Sequence, residues 1–401
     1  MNLQRSLRAY LPQSRRAKRQ SSLLAMAALA LAGSAVLVNR RAAKAERDHP
    51  PKGRFITVDG VRLHYIERGS GQPVVFMHGN GAMVDDMLIS GVFDQAAEHY
   101  RAIVFDRPGF GHSARPRDRS WTAAAQAALF SKAFDELGIT RPVVVGHSWG
   151  TLVALALALD YPQALAGLVL ASGYYFPTAR ADVALMSPPS IPVVGDLITH
   201  TVAPLIGEAL GPGMIKKMFA PQPVSPRFAR EFPLALALRP SQVKAFSEDT
   251  SHMTSAARQL CGHYAALRCP TVIMAGDADG IVDVDRQARR MHGAVPGSRI
   301  DILPGAGHMV HHLDPGRMVR AIELIATGGI TRESVEAEAS YQRAATVSSG
   351  PGRRSASFGS LPSGVSLSMT SGRARDSCES RSSRGKPVSA ERLSIVSAPR
   401  A

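Results

Sequence analysis

Metal-ligand patterns are missing from this sequence. Its 401 residues include 13 histidines and only three cysteines, and these do not fall into the short spacings of a metal site. We therefore predict no metal ion and no cofactor. The cysteines also leave the cellular compartment open, because Cys261 and Cys269 lie close together in an expected helix and strand, and Cys378 lies in the C-terminal tail.

The middle of the chain also lacks net charge, although the whole sequence carries a formal charge of +15. Residues 1–53 contain 11 lysines and arginines but two acidic residues, and residues 346–401 contain nine and three. The intervening residues contain 27 of each kind. The basic character therefore belongs to the two ends, which argues against a nucleic-acid-binding surface and for a membrane-bound or solvated role of the tails.

An uncharged run rich in alanine and leucine occupies residues 21–38, after a basic segment at 1–20 and before two arginines. Eighteen helical residues span about 27 Å, which suits a bilayer core of about 30 Å when charged ends lie at the interface. We therefore predict a transmembrane anchor at 21–38, followed by a linker at 39–53.

More positive charge precedes this run than follows it. We therefore expect a cytoplasmic N-terminus and a folded domain on the periplasmic or another extracytoplasmic side. Small residues at 32–35 leave a cleaved signal peptide as the alternative. The run stays apolar through Val38, which favours an uncleaved span.

The segment 142–151 predicts a buried strand that ends in a sharp turn with Ser148 at its apex. Gly146 and Gly150 flank this serine, and side chains at both positions would collide with the adjoining strand and helix. An alanine- and leucine-rich helix follows, and its free N-terminal N–H groups can face a developing negative charge. This nucleophile elbow predicts Ser148 as the nucleophile of an acyl transfer.

A second strand, at 74–78, ends in a loop of small residues. Acyl transfer passes through a tetrahedral oxyanion, which two backbone N–H groups can stabilise. We predict these donors on Trp149 and Asn80, with Gly81 as the alternative to Asn80. His78 precedes the nucleophile in the chain and is expected to be structural.

Two strands near the C-terminus each lead into residues that could serve this serine. One is followed by an acidic turn with Asp277 and Asp279, and the other by His308. A histidine can take the serine proton and return it to the leaving group, while a carboxylate fixes its tautomer. These side chains follow the carboxyl ends of strands, where open α/β sheets bind ligands.

These motifs resemble the α/β-hydrolase fold family of cofactor-free serine hydrolases, whose relatives include esterases, C–C hydrolases and perhydrolases. The similarity spans roughly residues 53–327 and includes the loop 106–113 after the fourth strand. The Gly-Asp-x-Asp pattern of the family implies that Asp279 is the triad acid, with Asp277 as the substitute. A serine at position 148 argues against dehalogenase and epoxide hydrolase chemistry, which use aspartate there.

Strands and helices alternate through residues 54–327, which predicts a single α/β domain. We expect an eight-stranded, mostly parallel sheet with helices on both faces, beginning with an antiparallel hairpin. The predicted strands are 55–58, 61–67, 74–78, 101–105, 142–146, 166–171, 271–275 and 298–303. The predicted helices are 121–137, 150–161, 284–292 and 315–326.

The alternation stops at about residues 174–267, where proline, methionine, leucine and phenylalanine dominate short helical segments. The resemblance implies that this inserted helical cap covers the site and limits substrate size. An apolar acyl pocket is predicted, with packing inside the cap as the alternative role of its candidate residues. These candidates are Tyr174, Tyr175, Phe176, Met214, Met218 and Phe219.

The C-terminal segment 328–401 is rich in serine, glycine and arginine and has few aromatic residues. We predict that this basic tail is mostly disordered. Several polar residues beside the motifs are expected to be structural. They are Asp106, His112 and His147. His311 and His312 follow His308 at the start of an expected helix, and we expect them to lie at the surface or to cap that helix.

The combined prediction is a membrane-anchored, capped serine hydrolase that cleaves a carboxylic ester or similar acyl bond through an acyl-enzyme. Two alternatives stay open. One uses the same triad for C–C bond hydrolysis or for cofactor-free haloperoxidase or perhydrolase chemistry. The other is a catalytically silent, anchored binding protein of the same fold.

Overall fold

A computed structural model describes residues 11–178, 181–331 and 333. Its centre is one eight-stranded sheet. The strands are β1 (Arg54–Val58), β2 (Val61–Arg68), β3 (Pro73–Met77), β4 (Arg101–Phe105), β5 (Val143–His147), β6 (Gly167–Ala171), β7 (Thr271–Gly276) and β8 (Arg299–Leu303). Their order is β1-β2-β4-β3-β5-β6-β7-β8.

Strand β2 pairs antiparallel with β1 and with β4, and the other neighbours are parallel. The central strands are apolar throughout because helices cover both faces of the sheet. In β5, Val144 packs on one face, whereas Val143 and Val145 pack on the other. The predicted α/β class and mostly parallel sheet are confirmed.

Helices connect the strands and build the two covering layers. The helices of the hydrolase core are α2 (Val84–Ser90), α3 (Val92–Ala97), α4 (Ala123–Glu136), α5 (Gly150–Asp160), α12 (Arg290–Ala294), α13 (Val310–Leu313) and α14 (Pro315–Ala326). A π-helical turn, Asp285–Arg289, leads into α12. The four predicted helices correspond to α4, α5, α12 with its preceding turn, and α14. The short helices α2 and α3 are not predicted from the sequence.

The long connection between β6 and β7 forms the helical cap. Its helices are α6 (Ala181–Met186), α7 (Val194–Thr201), α8 (Ala203–Phe219), α9 (Pro226–Glu231), α10 (Leu234–Ala237) and α11 (Pro240–Cys261). Because β6 and β7 are parallel neighbours, the cap leaves the sheet at the carboxyl edge. The predicted inserted cap is confirmed, and it covers the edge where ligands bind in this class of sheet.

The N-terminal helix, α1 (Leu11–Asp48), is longer than the predicted anchor. It runs unbroken through most of the predicted linker at 39–53, since this stretch has three alanines, several charged helix formers and no proline before Pro50. The region 20–48 is long enough for a membrane anchor and contains an 18-residue window with a mean hydropathy of 2.1, which a membrane anchor and a signal sequence share. The predicted tail lies outside the described residues, except for 328–331 and 333.

Candidate active site

Ser148 occupies a sharp turn between β5 and α5. Its φ of +50° lies in the left-handed region, which a non-glycine residue adopts at a cost in free energy. Its backbone N–H donates to the carbonyl oxygen of Ala171 at 2.9 Å, which holds the turn against β6. From Pro142 to Ala158, Ser148 is the only residue that is not buried. The turn therefore presents one hydroxyl group from an otherwise closed core.

The glycines beside this turn allow close backbone approach. A Cβ atom on Gly146 would lie 2.8 Å from the Cα atom of Thr151, and one on Gly150 would lie 2.2 Å from the carbonyl oxygen of Met77. Neither position has room for a side chain. The predicted collisions with the adjoining helix and strand are thus confirmed.

Three residues far apart in the sequence meet at this turn. His308 places Nε2 3.0 Å from the Oγ atom of Ser148, and its Nδ1 lies 2.7 Å from Oδ2 of Asp279. The side chains of His308 and Asp279 are only 3% and 2% exposed. When Nδ1 carries the proton and donates to Asp279, Nε2 is left to accept the serine proton.

Two carboxylates follow β7, and they have different partners. Asp279 accepts backbone N–H groups from Ile281 and Val282 on its Oδ1 atom, at 2.8 and 3.0 Å, while Oδ2 meets the histidine. Asp277 instead accepts the N–H of Gly305 at 2.6 Å, in an exposed setting. The structure therefore brings Asp279 to the histidine and uses Asp277 in a turn.

The loop after β3 lies directly against the nucleophile. A Cβ atom on Gly79 would be 3.1 Å from the Cβ atom of Ser148. The side chain of Asn80 donates to the carbonyl oxygen of Phe246 at 3.1 Å and to the hydroxyl of Thr250 at 2.9 Å, both on cap helix α11. This loop is thus held between the sheet and the cap, beside the serine.

Trp149 is the N-cap residue of α5. Its backbone N–H is among the first groups of the helix, which have no carbonyl four residues earlier to bind. The side chain is fixed by a hydrogen bond from its indole N–H to the carbonyl oxygen of Asp249, at 2.9 Å. The backbone donors of Trp149 and Asn80 therefore stay our predicted oxyanion hole.

Arg107 holds the loop after β3 through hydrogen bonds that we did not predict from the sequence. Its guanidinium donates to the carbonyl oxygens of His78 and Gly79, at 3.0 and 3.1 Å. It also pairs with Asp249 at 2.5 Å, and both side chains are fully buried. The same group lies 4.5 Å from the ring centre of Trp149. One buried cation thus connects the loop, the tryptophan and the cap.

His78 and His147 are buried beside the site. His78 contacts the carbonyl oxygen of Gly79 through Nδ1 at 2.7 Å and accepts the N–H of Arg107 on Nε2 at 3.0 Å. Burial and the neighbouring Arg107 lower the pKa of His78 to about 4. His147 donates from Nε2 to the carbonyl oxygen of His308 at 3.2 Å. Burial, together with His311, holds the pKa of His147 well below its usual value.

A second aspartate–histidine group contains His311 and His312, which are buried beside Asp86 and do not lie at the surface as expected. Asp86 places its two carboxylate oxygens 3.1 Å from Nε2 of His311 and 2.8 Å from Nε2 of His312. The three ligand atoms lie within 4.8 Å of one another, the spacing of a metal-binding group, although the sequence spacing does not indicate it. Burial acts to raise the pKa of Asp86, but the two histidines hold it well below its usual value.

The structure places the predicted pocket residues in different surroundings. Tyr174, Tyr175 and Phe176 are buried in the main core, and the hydroxyl of Tyr175 bonds to the backbone. Met214 is 39% exposed on the outside of the cap. Met218 packs on a small cluster that contains Phe219 and Met309, and the ring of Phe219 lies 5.2 Å from that of His312. Met218 and Phe219 are therefore the candidates that pack against the chain segment after His308.

Two clefts lie beside the cap rather than at the serine. The larger, of about 710 Å³, is lined by residues of the loop after β4 and of the cap, including Arg115 and Lys244. The smaller, of about 450 Å³, lies near the end of α1. Ser148 and His308 line neither cleft. Hydrogen-bond geometry therefore identifies the candidate site better than cleft size does.

Comparisons with known proteins agree with this geometry. The sequence model of the alpha/beta hydrolase family matches residues 74–321. An uncharacterized protein of Mycobacterium tuberculosis is 28% identical over 293 residues, which cover 68% of this chain and 81% of that protein. A 2-hydroxymuconate semialdehyde hydrolase of Pseudomonas putida is 27% identical over 286 residues, which cover 70% and 95%.

A solved structure has the same fold. It is a thermophilic esterase from Thermogutta terrifontis, with a TM-score of 0.53 and 22% identity, covering 68% of this chain and 97% of the esterase.

Proposed function

Because the chain belongs to the alpha/beta hydrolase family, we propose that it is a serine hydrolase that cleaves a carboxylic ester or similar acyl bond. Hydrolase activity is what family membership supports. The observation that carries the finer proposal is the hydrogen-bonded series from Ser148 to His308 to Asp279, at 3.0 and 2.7 Å. The series starts at Ser148, which is the one residue between Pro142 and Ala158 that is not buried.

The first half of the proposed reaction forms an acyl-enzyme. Nε2 of His308 takes the proton of the Ser148 hydroxyl while Oγ attacks the carbonyl carbon. Backbone N–H groups of Trp149 and Asn80 stabilise the oxyanion, and one such donor is worth on the order of 10²–10³ in rate. The imidazolium then gives its proton to the departing alcohol as the C–O bond breaks.

The second half returns the enzyme to its starting state. A water molecule gives a proton to His308 and attacks the acyl carbon. The second oxyanion collapses, the bond to Oγ breaks, and Ser148 regains its proton from the imidazolium. Asp279 stays ionised throughout and orients the ring. No cofactor is needed in either half.

Three other functions stay open. C–C bond hydrolysis would use the same side chains, and the relative named as a 2-hydroxymuconate semialdehyde hydrolase favours this alternative. Haloperoxidase or perhydrolase chemistry would also use the same triad. A silent binding protein is the third possibility. An apolar acyl group is the substrate that we propose, since Met218 and Phe219 form an apolar cluster with Met309, the residue that follows His308 in the chain.

An activated-serine probe separates enzyme from binding protein. We expect a fluorophosphonate to label the full-length protein once, at Ser148, as located by peptide mass spectrometry. Ser172 is the matched internal control, because it also follows a strand with a φ of +48° but is buried. Labelling at neither serine, with no turnover, would indicate the binding protein.

Turnover assays then separate the three chemistries. We expect nitrophenyl esters with apolar acyl groups to react faster than vinylogous diketones, and faster than acetate and peroxide form peracid. A clear preference for the diketone would replace ester hydrolysis by C–C hydrolysis. Faster peracid formation would replace it by perhydrolysis.

We further propose that residues 21–38 anchor the protein uncleaved, with the N-terminus in the cytoplasm and the hydrolase domain outside it. The contact of Ser34 with cap residue Thr201, at 2.7 Å, supports retention of the helix. An uncleaved protein should begin at or near Met1 and stay with membranes through an alkaline wash. N-terminal sequencing that starts after Ala32 or Ala35 would contradict this proposal.

The orientation has its own test. We expect protease added to intact spheroplasts to digest the hydrolase domain, because more positive charge precedes the anchor than follows it. Digestion only after lysis would place the domain in the cytoplasm. Deletion of residues 1 to about 50 should give a soluble protein that keeps its esterase activity.

A further inference from the structure

Large apolar side chains are exposed in only two regions of the described chain, apart from Leu313. One region is helix α1, and the other is the cap segment 185–214. The exposed apolar side chains on α7, on α8 and at the position between the two helices form a surface that we call the apolar cap face. They are Leu197, Val202, Ile206, Leu210 and Met214, with exposures from 39% to 55%. Apolar patches of this kind mark a contact with a partner or a membrane.

The members on α8 share one side of the helix. Val202, Ile206, Leu210 and Met214 recur every four residues, a spacing that places them above one another on a helix. Leu197 precedes them on α7, and further exposed apolar residues lie just before it at 191, 193 and 194. The face is therefore continuous across two helices.

This face lies beside the apolar part of the anchor. The hydroxyl of Ser34 donates to the carbonyl oxygen of Thr201 at 2.7 Å, and Asn39 contacts His200 at 3.1 Å. Val38, the last residue of the apolar run, is only 2% exposed. Ser34 lies four residues inside the run, which is about 6 Å along a helix. The junction of α7 and α8 is thus level with the end of the proposed span.

Charge is nearly absent from this part of the cap. Between residues 183 and 215 the only aspartate, glutamate, lysine or arginine residues are Asp196 and Glu208, and the one histidine is His200. Asp196 pairs with Arg117 and Lys244, and Glu208 pairs with Arg41 of α1. Both charges are therefore neutralised by neighbours.

Two exposed lysines, Lys216 and Lys217, follow the apolar cap face directly. Lysines in this position can reach lipid phosphates while an apolar surface enters the acyl boundary.

We propose that the apolar cap face lies in the boundary between headgroups and acyl chains of the leaflet on the hydrolase side of the membrane. The proposal rests on the proposed anchor, because α1 sets the depth of the cap. A helix lying in this boundary buries its apolar side about 5–10 Å deep, which agrees with the 6 Å offset of Ser34. The cap is then a second membrane contact, in addition to the span.

Tryptophan substitution in the full-length protein tests the depth directly. Both native tryptophans, Trp121 and Trp149, are at most 2% exposed and provide a constant background. The probes are Ile206→Trp and Leu210→Trp, reconstituted in phosphatidylcholine vesicles that carry bromine near the carbonyl end or near the methyl end of the acyl chains. Bromine quenches tryptophan fluorescence only at short range.

Two control variants give the fluorescence quenching expected inside the membrane and away from it. Leu29→Trp lies in the proposed span, where Leu29 is 73% exposed. Thr140→Trp lies at an exposed position before β5, on the edge of the sheet opposite the cap. We expect the cap probes to be quenched at least about threefold more than Thr140→Trp, and more by bromine near the carbonyl end than near the methyl end.

The outcomes distinguish the two proposals. Quenching of Leu29→Trp but not of the cap probes would overturn the membrane contact of the cap and leave the anchor intact. Absence of quenching at Leu29→Trp would overturn the anchor and the cap contact together. Blue-shifted but unquenched cap probes would mean that a second copy of the chain covers the face, which would also overturn the proposal. Ester turnover in each variant verifies that the fold is retained.

Discussion

Two aspartate–histidine groups in this molecule have similar geometry but different access. Asp279 meets His308 at 2.7 Å, and Asp86 meets His311 and His312 at 3.1 and 2.8 Å. All five side chains are almost completely buried. The free nitrogen of His308 faces the partly exposed Ser148, whereas Nδ1 of His311 is buried with no hydrogen-bond partner among the described residues. An accessible nucleophile, rather than the ion-pair geometry, distinguishes the two.

The two groups are also in contact. The ring of His147 lies 5.2 Å from that of His308 and 4.3 Å from that of His311. Burial lowers the pKa of His147 and of His311, so both rings stay neutral near pH 7. A charged ring next to His308 would disfavour the imidazolium that forms during acyl transfer. The neutral rings of His147 and His311 therefore add no positive charge beside His308. We call Ser148, His308 and Asp279 the open group, and Asp86, His311 and His312 the closed group.

The largest expected effect is at the open group. Ser148→Ala should lower ester turnover by on the order of 10⁶. Only oxyanion and binding contributions, on the order of 10³–10⁴ over the reaction in water, would be left. Thermal unfolding should change little, since no packed group is lost. Ser172→Ala is the matched control, at a buried serine with a similar φ, and should keep its activity. Activity of more than about a tenth of wild type in Ser148→Ala would refute the assignment.

The two acids after β7 give the next effect. Asp279→Asn should lower kcat by on the order of 10⁴, because the amide no longer fixes the tautomer of His308. Asp277→Asn should change kcat by less than about threefold, since Asp277 serves only the turn at Gly305. Steady-state kinetics of both purified variants measures the difference. The reverse order of losses would make Asp277 the triad acid.

The pH dependence of stability tests the neutral histidines. In the folded protein the pKa of His78 is lowered to about 4. Between about pH 6.5 and 4, His78 is therefore protonated in the unfolded chain and neutral in the folded protein. The contribution of His78 is fully present above pH 6.5 and is lost as the pH falls towards 4, about 3 kcal/mol in total. His147 and His311 act in the same direction.

Urea unfolding of wild type and His78→Asn between pH 7.5 and 4 measures this effect. In the variant, the free energy of unfolding should fall less steeply as the pH is lowered, by up to about 1.4 kcal/mol per pH unit. Equal slopes would show that His78 is not the residue responsible.

The smallest expected effect is at the closed group. Asp86→Asn should lower the free energy of unfolding by about 1–3 kcal/mol, because two buried histidine contacts lose their charged acceptor. The kcat of the folded variant should change by less than about tenfold, since Asp86 contacts no atom of Ser148 or Asp279. Asp94→Asn removes an exposed partner of Arg68 and is the control, with a change below about 1 kcal/mol. A loss of kcat equal to that of Asp279→Asn would assign the closed group to the chemistry.

Local patterns predict much of the sheet. Each predicted strand begins and ends within one residue of the observed strand, because continuous apolar runs bounded by turns are a strong local signal. Helices α2 and α3 escape prediction. They are seven and six residues long and have no side-chain N-cap, and the first turn of α2 contains Asp85 and Asp86, which do not fit an apolar helix face.

The residues of the candidate site also divide into those that local patterns predict and those that they do not. Ser148 and His308 stand in short motifs, so their neighbours in the chain are enough to identify them. Arg107 and Asp249 are 142 residues apart, and Asp86 and His311 are 225 apart, and no short-range pattern connects such pairs. Metal-like spacing between Asp86 and the two histidines therefore arises only from packing α2 against α13.

The sequence by itself determined the elements whose signal is local: the apolar strands, the glycines around Ser148, and the uncharged run at 21–38. Only the tertiary structure places Asp279, rather than Asp277, beside His308, since both carboxylates follow the same strand and differ only in direction. It also decided that α1 continues into contact with the cap. Such choices depend on which distant surfaces pack together, and burial and hydrogen bonding across the fold, rather than neighbouring residues, supply the free energy that selects them.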